Sequence, residues 1–88
     1  FDVAFEGLTF RALNIARCNS LTFTAAIKPH HEGCLAYYWN GSKWRFSLYH
    51  VDHRKDIDLS VIAVKNGGGG HRGAAGFELT ALPRELGV

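Results

Sequence analysis

Along the 88 residues the spacing of apolar positions changes several times, and each change marks an element. Leu8, Phe10 and Ala12 alternate with Thr9 and Arg11, so residues 8–16 read as a strand. Asn19 and Ser20 then offer a helix N-cap. Residues 21–27 carry two signals: alternation of Leu, Phe, Ala and Ile favours a strand, whereas the cap and the Ala25-Ala26 pair favour a short helix stopped before Pro29. We read helix. Two aromatic-rich runs follow, 34–39 and 43–50, separated by Asn40-Gly41-Ser42, and this is a hairpin because Asn and Gly both tolerate positive φ.

After a charged loop at 51–56, Asp58 can cap a helix whose Leu59, Ile62 and Ala63 share one face. Ile57 and Ile62 have the spacing of a hydrophobic staple, and Gly67 supplies the stop. A run of four glycines leads through His71, Arg72 and the small residues 73–76 to a last strand at 77–82, ended by Pro83. The expected fold is α+β (α/β): a mixed β-sheet of four to five strands with two or three helices packed against it. Residues 1–88 form one domain.

Composition narrows the function. Apolar residues make up 47% of the chain, enough for a core, and no apolar run approaches the length of a membrane span. A net charge of +2 suits a small phosphorylated ligand better than extensive tracking of a nucleic-acid backbone. Cys18 and Cys34 form no CxxC pair and read as buried or half-buried thiols of a cytoplasmic protein, although a disulfide between them stays open. No signal peptide is visible, and a start on Phe1 without Met is expected of a processed or excised fragment.

Four consecutive glycines are costly, each by roughly 0.5–1 kcal/mol relative to alanine in regular structure. Such a run is retained where backbone must approach something closely, or where successive N–H groups turn toward an anion. A helix beginning near His71 would add its free amides, and His71 and Arg72 would project beside the site. The alternative is a plain flexible turn, since the run fits neither the Walker nor the dinucleotide glycine pattern.

The segment Gly67-Gly68-Gly69-Gly70-His71-Arg72-Gly73-Ala74-Ala75-Gly76-Phe77 resembles the GGGH…AAGF signature of the DHHA1 domain, the C-terminal half of DHH phosphoesterases. Trp44-Arg45-Phe46-Ser47-Leu48 resembles the family's preceding strand, Asp58-Leu59-Ser60-Val61-Ile62-Ala63 its helix start, and Leu13-Asn14 followed by Ser20 its first strand and cap. The resemblance implies that the chain is the C-terminal part of a larger two-domain protein. That protein would be related to RecJ-like exonucleases, short-oligonucleotide phosphodiesterases and exopolyphosphatase-like proteins. It implies phosphate binding by Gly67, Gly68, Gly69, Gly70, His71 and Arg72, with Ser47 on the adjoining strand. His71 would have at most an assisting role, and no catalytic residue or metal ligand is expected in this fragment.

Catalysis would rest on manganese or magnesium in the N-terminal domain, so the 88 residues alone are expected to be inactive. The implied partners are that domain and a phosphorylated small molecule or short single-stranded oligonucleotide, with a homodimer of the parent protein left open. One departure stands out. Tyr49 and His50 occupy positions where relatives often carry Arg and Ser, which removes a phosphate clamp that Arg72, Arg45 or Arg54 would have to replace.

Other clusters are weaker. Asp52-His53-Arg54 lacks the second His of the catalytic Asp-His-His motif and reads as a solvated loop. His30-His31-Glu32 beside Cys34 has no metal-ligand spacing and reads as two exposed loop histidines. Tyr37, Trp39 or Tyr49 could stack a nucleobase, and this keeps a second function open: a non-catalytic module that binds single-stranded nucleic acid.

Overall fold

The computed structural model describes residues 1–17 and 27–87. Six strands form a single mixed sheet: β1 (Asp2–Phe5), β2 (Leu8–Asn14), β3 (Gly33–Trp39), β4 (Trp44–Tyr49), β5 (Gly69–His71) and β6 (Ala74–Leu79), in the spatial order β1-β2-β3-β4-β6-β5. Only β2 and β3 run parallel, with Ala12 beside Leu35; every other neighbouring pair is antiparallel. One helix, α1 (Leu59–Lys65), and two 3-10 turns, Asp52–Arg54 and Arg84–Leu86, complete the described elements.

Local chemistry explains the turns. Between β1 and β2 both central residues have positive φ, Glu6 at 53° and Gly7 at 79°, the geometry that matches the twist of a two-residue hairpin. Between β3 and β4 the Asn40 carboxamide oxygen accepts the amides of Ser42 (3.0 Å) and Lys43 (2.8 Å), which closes the reversal. Helix α1 starts on Asp58, whose carboxylate accepts the Ser60 amide at 3.0 Å. It stops where Gly67, at φ 86°, donates to the Val64 carbonyl and Gly68 donates to that of Ala63. That pair of bonds satisfies the last carbonyls of the helix.

The two faces of the sheet differ. On the first, Val3, Phe5, Phe10, Leu35, Tyr37, Phe46, Leu48 and Phe77 are buried together beneath Leu59, Ile62 and Ala63 of α1. Phe46 and Phe77 stack at 4.9 Å between ring centroids, and Phe5 stacks on Phe77 at 6.0 Å. Burying each such side chain contributes about 1.5–3 kcal/mol, so this face holds the domain together. The second face carries a smaller apolar cluster of Cys34, Ala36 and Val51, and beyond it the residues of the candidate site.

The fold differs from the expectation of four to five strands with two or three helices. The sheet has six strands, and among the described residues α1 is the sole α-helix. Two strands are additions. β1 places only Val3 and Phe5 inward, a pattern too short to register as alternation. β5 is built of Gly69, Gly70 and His71, where a nest or helix start was expected; it is a strand because β6 pairs with it. The last strand runs from Ala74 to Leu79 rather than over 77–82, and Pro83 instead opens the final 3-10 turn, whose Leu86 is buried in the core. The helix expected over 21–27 falls largely outside the described residues. No described helix is long and apolar enough to cross a membrane.

Candidate functional site

Residues 45, 47 and 49 of β4 alternate with the buried Phe46 and Leu48 and therefore face away from the main core. Beside them lie Gly76 and Ala74 of β6, paired with Ser47 and Tyr49, and beyond these Gly69, paired with Gly76. Arg45, Ser47, Tyr49, Gly69, Gly70 and the β6 stretch 74–76 line an open depression of about 230 Å³. Its floor is mostly backbone and small side chains. A Cβ at Gly69 would meet nothing within 4 Å, so this residue borders open space. Gly70 has φ 134°, and a Cβ there would lie 2.6 Å from the Ala75 Cα. Only glycine fits that position.

Among the described residues Arg45 is the only charged one lining the depression. Its half-buried guanidinium lies across Gly76: a Cβ built at 76 would come within 2.5 Å of Nη2. Among the described residues Arg45 has no salt bridge, and the carboxylate of its cross-strand neighbour Glu78 accepts from Asn40 at 2.8 Å. Arg54 and Arg72 are engaged elsewhere. Arg54 pairs with Glu32 (2.7 Å) and Asp56 (3.1 Å), and Arg72 donates to the Asp56 carbonyl at 2.6 Å and approaches Asp58 at 3.7 Å.

The sequence-derived candidates thus separate. Ser47, Gly69 and Gly70 meet in the depression. His71 is exposed at the end of β5, paired with Ala74, and is not among the residues lining the depression. The amides of Gly67 and Gly68 close α1, and a side chain at Gly68 would collide with Phe77, so these two serve helix termination and close packing. Arg72 turns toward the start of α1. His50 also gains a definite place: its backbone amide and Nδ1–H both donate to the Gly73 carbonyl at 3.0 Å, which ties the end of β4 to the β5–β6 turn.

The aromatic residues of the hairpin fall on opposite faces. Tyr37 is buried against Phe46 and Trp44, and Trp39, 50% exposed, packs on Trp44 at the tip of the same face. Tyr49 lies on the other face. Trp39 and Tyr49 therefore form no common stacking surface.

A second cluster escaped the sequence reading. His31, expected to be exposed, is 1% exposed, and its Nδ1 accepts the Lys28 amide at 2.8 Å. Its Nε2–H must then donate to Asp2 Oδ1, also at 2.8 Å, while His30 Nε2 reaches Asp2 Oδ2 at 2.8 Å. These bonds, that from His30 foremost, hold the Asp2 carboxyl far below its ordinary value. The ligand atoms of Asp2, His30 and His31 lie within 4.8 Å of one another. They do not fit a metal. Coordination through His31 Nε2 would need a lone pair there and a proton on Nδ1, which faces the Lys28 N–H. His53 extends the network by donating to the His31 carbonyl at 2.7 Å. Glu32, held below its ordinary range first by the Thr9 amide and then by Arg54, links the same loops.

Neither a family model nor a curated protein matches this chain. Solved structures do share its fold. A pGpG-specific phosphodiesterase, PggH from Vibrio cholerae, superposes with a TM-score of 0.63 at 17% identity, over 90% of this chain and 29% of that one. An uncharacterized protein from Helicobacter pylori G27 gives a TM-score of 0.68 at 19% identity, over 92% of this chain and 23% of that one. The chain spans less than a third of either protein, and at these identities the likeness establishes the fold.

Proposed function

We propose that this chain is the substrate-gripping module of a DHH-type phosphoesterase, a DHHA1-like domain that holds the phosphate of a short oligonucleotide or related phosphorylated compound. The observation that carries this reading is the depression on the second face of the sheet: glycine backbone for a floor, Ser47 on its wall and a single cation, Arg45. Backbone that carries no side chain lets a phosphate come close, Ser47 can donate to one of its oxygens, and Arg45 offsets its charge. The shared fold with a pGpG-specific phosphodiesterase and the Gly-Gly-Gly-His segment support the same class of ligand.

In this reading the chain binds and orients, and hydrolysis belongs to manganese or magnesium ions held by an N-terminal domain. The cluster of potential metal ligands among the described residues, Asp2 with His30 and His31, does not fit that role. The test is an NMR titration of the 88-residue chain with a 5′-phosphorylated dinucleotide and with inorganic phosphate, following the amides of residues 67–76. Saturable shifts centred on Gly69, Gly70 and Gly76 are expected. Silence there, with shifts over Trp39 and the hairpin tip, would overturn the proposal in favour of a single-strand binding module.

A further inference from the structure

We infer that Arg45, seated across Gly76, is the side chain that reads the ligand's charge, and that the depression takes one phosphate group rather than a polyphosphate chain. This rests on the phosphate-binding reading above and assigns the grip within it.

Three observations converge on Arg45. Among the described residues it is the only charged one lining the depression, so a ligand charge there is met by it together with hydroxyl and backbone donors. Arg54 and Arg72 are already bound to Asp56, Glu32 and Asp58. Arg45 has no salt bridge among the described residues, although Glu78 is its cross-strand partner; that carboxylate accepts from Asn40 instead. A half-buried guanidinium without a carboxylate is expensive to desolvate, and a bound anion is what would offset that cost.

Gly76 makes the placement geometrically possible. A Cβ at this buried position would strike both Arg45 Nη2 at 2.5 Å and the Phe46 carbonyl at 2.6 Å, so the guanidinium could not lie over the sheet. With the position empty, the planar fork rests on backbone beside Ser47, which Gly76 faces in register. A fork so placed can meet two oxygens of one phosphate. A single positive charge balances a single phosphodiester or about half to two thirds of the charge on a terminal phosphate, and it leaves most of the several charges of a polyphosphate uncompensated.

The experiment measures, by calorimetry at fixed low salt, binding of a 5′-phosphorylated dinucleotide and of tripolyphosphate to the native chain and to Arg45→Gln, Arg45→Lys and Lys55→Gln. Lys55→Gln removes the same charge from an exposed position in the loop before α1, and circular dichroism confirms the fold of each variant. The expected result is a loss of about tenfold or more in Arg45→Gln, incomplete rescue by lysine, no loss in Lys55→Gln, and tighter binding of the dinucleotide than of tripolyphosphate. Native-strength binding by Arg45→Gln would overturn the inference and leave the glycine backbone as the grip, with the phosphate reading intact. Tighter binding of tripolyphosphate would overturn the single-phosphate assignment. No binding of either probe by the native chain would remove the phosphate reading and this inference with it.

Discussion

His31 stands between the Lys28 amide and the Asp2 carboxylate, accepting from the first and donating to the second, each at 2.8 Å. The ring is thereby fixed as the neutral Nε2–H tautomer. Nitrogen NMR of the ring at neutral pH should show a protonated Nε2 and an unprotonated Nδ1, and the reverse assignment would refute the network. His31→Ala removes both bonds and leaves a hole at a site 1% exposed. Its expected cost is about 2–4 kcal/mol in urea unfolding.

Acid should weaken the fold through Asp2 and Glu32. Both carboxyls lie below their ordinary values of 3.8 and 4.5 in the folded chain. Their contribution is therefore present above those values and is lost as pH falls through the lower, folded ones. Urea midpoints should hold steady from pH 7 to about 5 on this account and decline below about 4.5. Asp2→Asn should start less stable at pH 6 and show a shallower decline; an unchanged acid profile would mean that the His30 and His31 bonds do not matter to folding.

Adjacent glycines of β5 should respond differently to the same substitution. Gly69 borders open space, so Gly69→Ala should fold with near-native stability while placing a methyl group in the depression and lowering phosphate affinity. Gly70 has φ 134° and backbone within 2.6 Å of a Cβ, so Gly70→Ala should cost about 1–3 kcal/mol in stability. Equal melting temperatures for the two variants would contradict the described strand.

Zinc offers a check on the cluster of Asp2, His30 and His31. Because His31 Nδ1 already accepts a backbone amide, micromolar zinc should leave both the melting temperature and the His31 ring resonances unchanged. A rise in melting temperature that His31→Gln abolishes would show that the Lys28 bond yields to the metal.

Sequence patterning revealed what side chains control. The hairpin of β3 and β4, its Asn40-Gly41 reversal, and α1 from the Asp58 cap to the Gly67 stop were all legible, because each depends on residues whose conformational preferences are strong and local. β5 was hidden for the opposite reason: glycines display no inside or outside, and only pairing with β6 makes them a strand. The site was half legible. Its glycines and Ser47 stood out in the sequence, but the choice of Arg45 over Arg54 and Arg72 depends on which carboxylates the tertiary fold brings to the latter two. The burial of His31 was illegible because its partner Asp2 lies 29 positions away.

The parallel pair β2 and β3 also governs how the chain reaches this structure. β1 with β2, and β3 with β4, are each joined by a tight turn and can zip up locally within about 1–10 μs. The contact of β2 with β3 must instead bring together strands separated in sequence by the residues between Asn14 and Gly33, and the entropy lost in that closure is recovered only after the pairing and the core beneath it have formed. Docking of two preformed hairpins is therefore the expected slow event, and substitutions at Ala12 or Leu35 should slow refolding more than equally destabilising ones in the Asn40–Lys43 reversal.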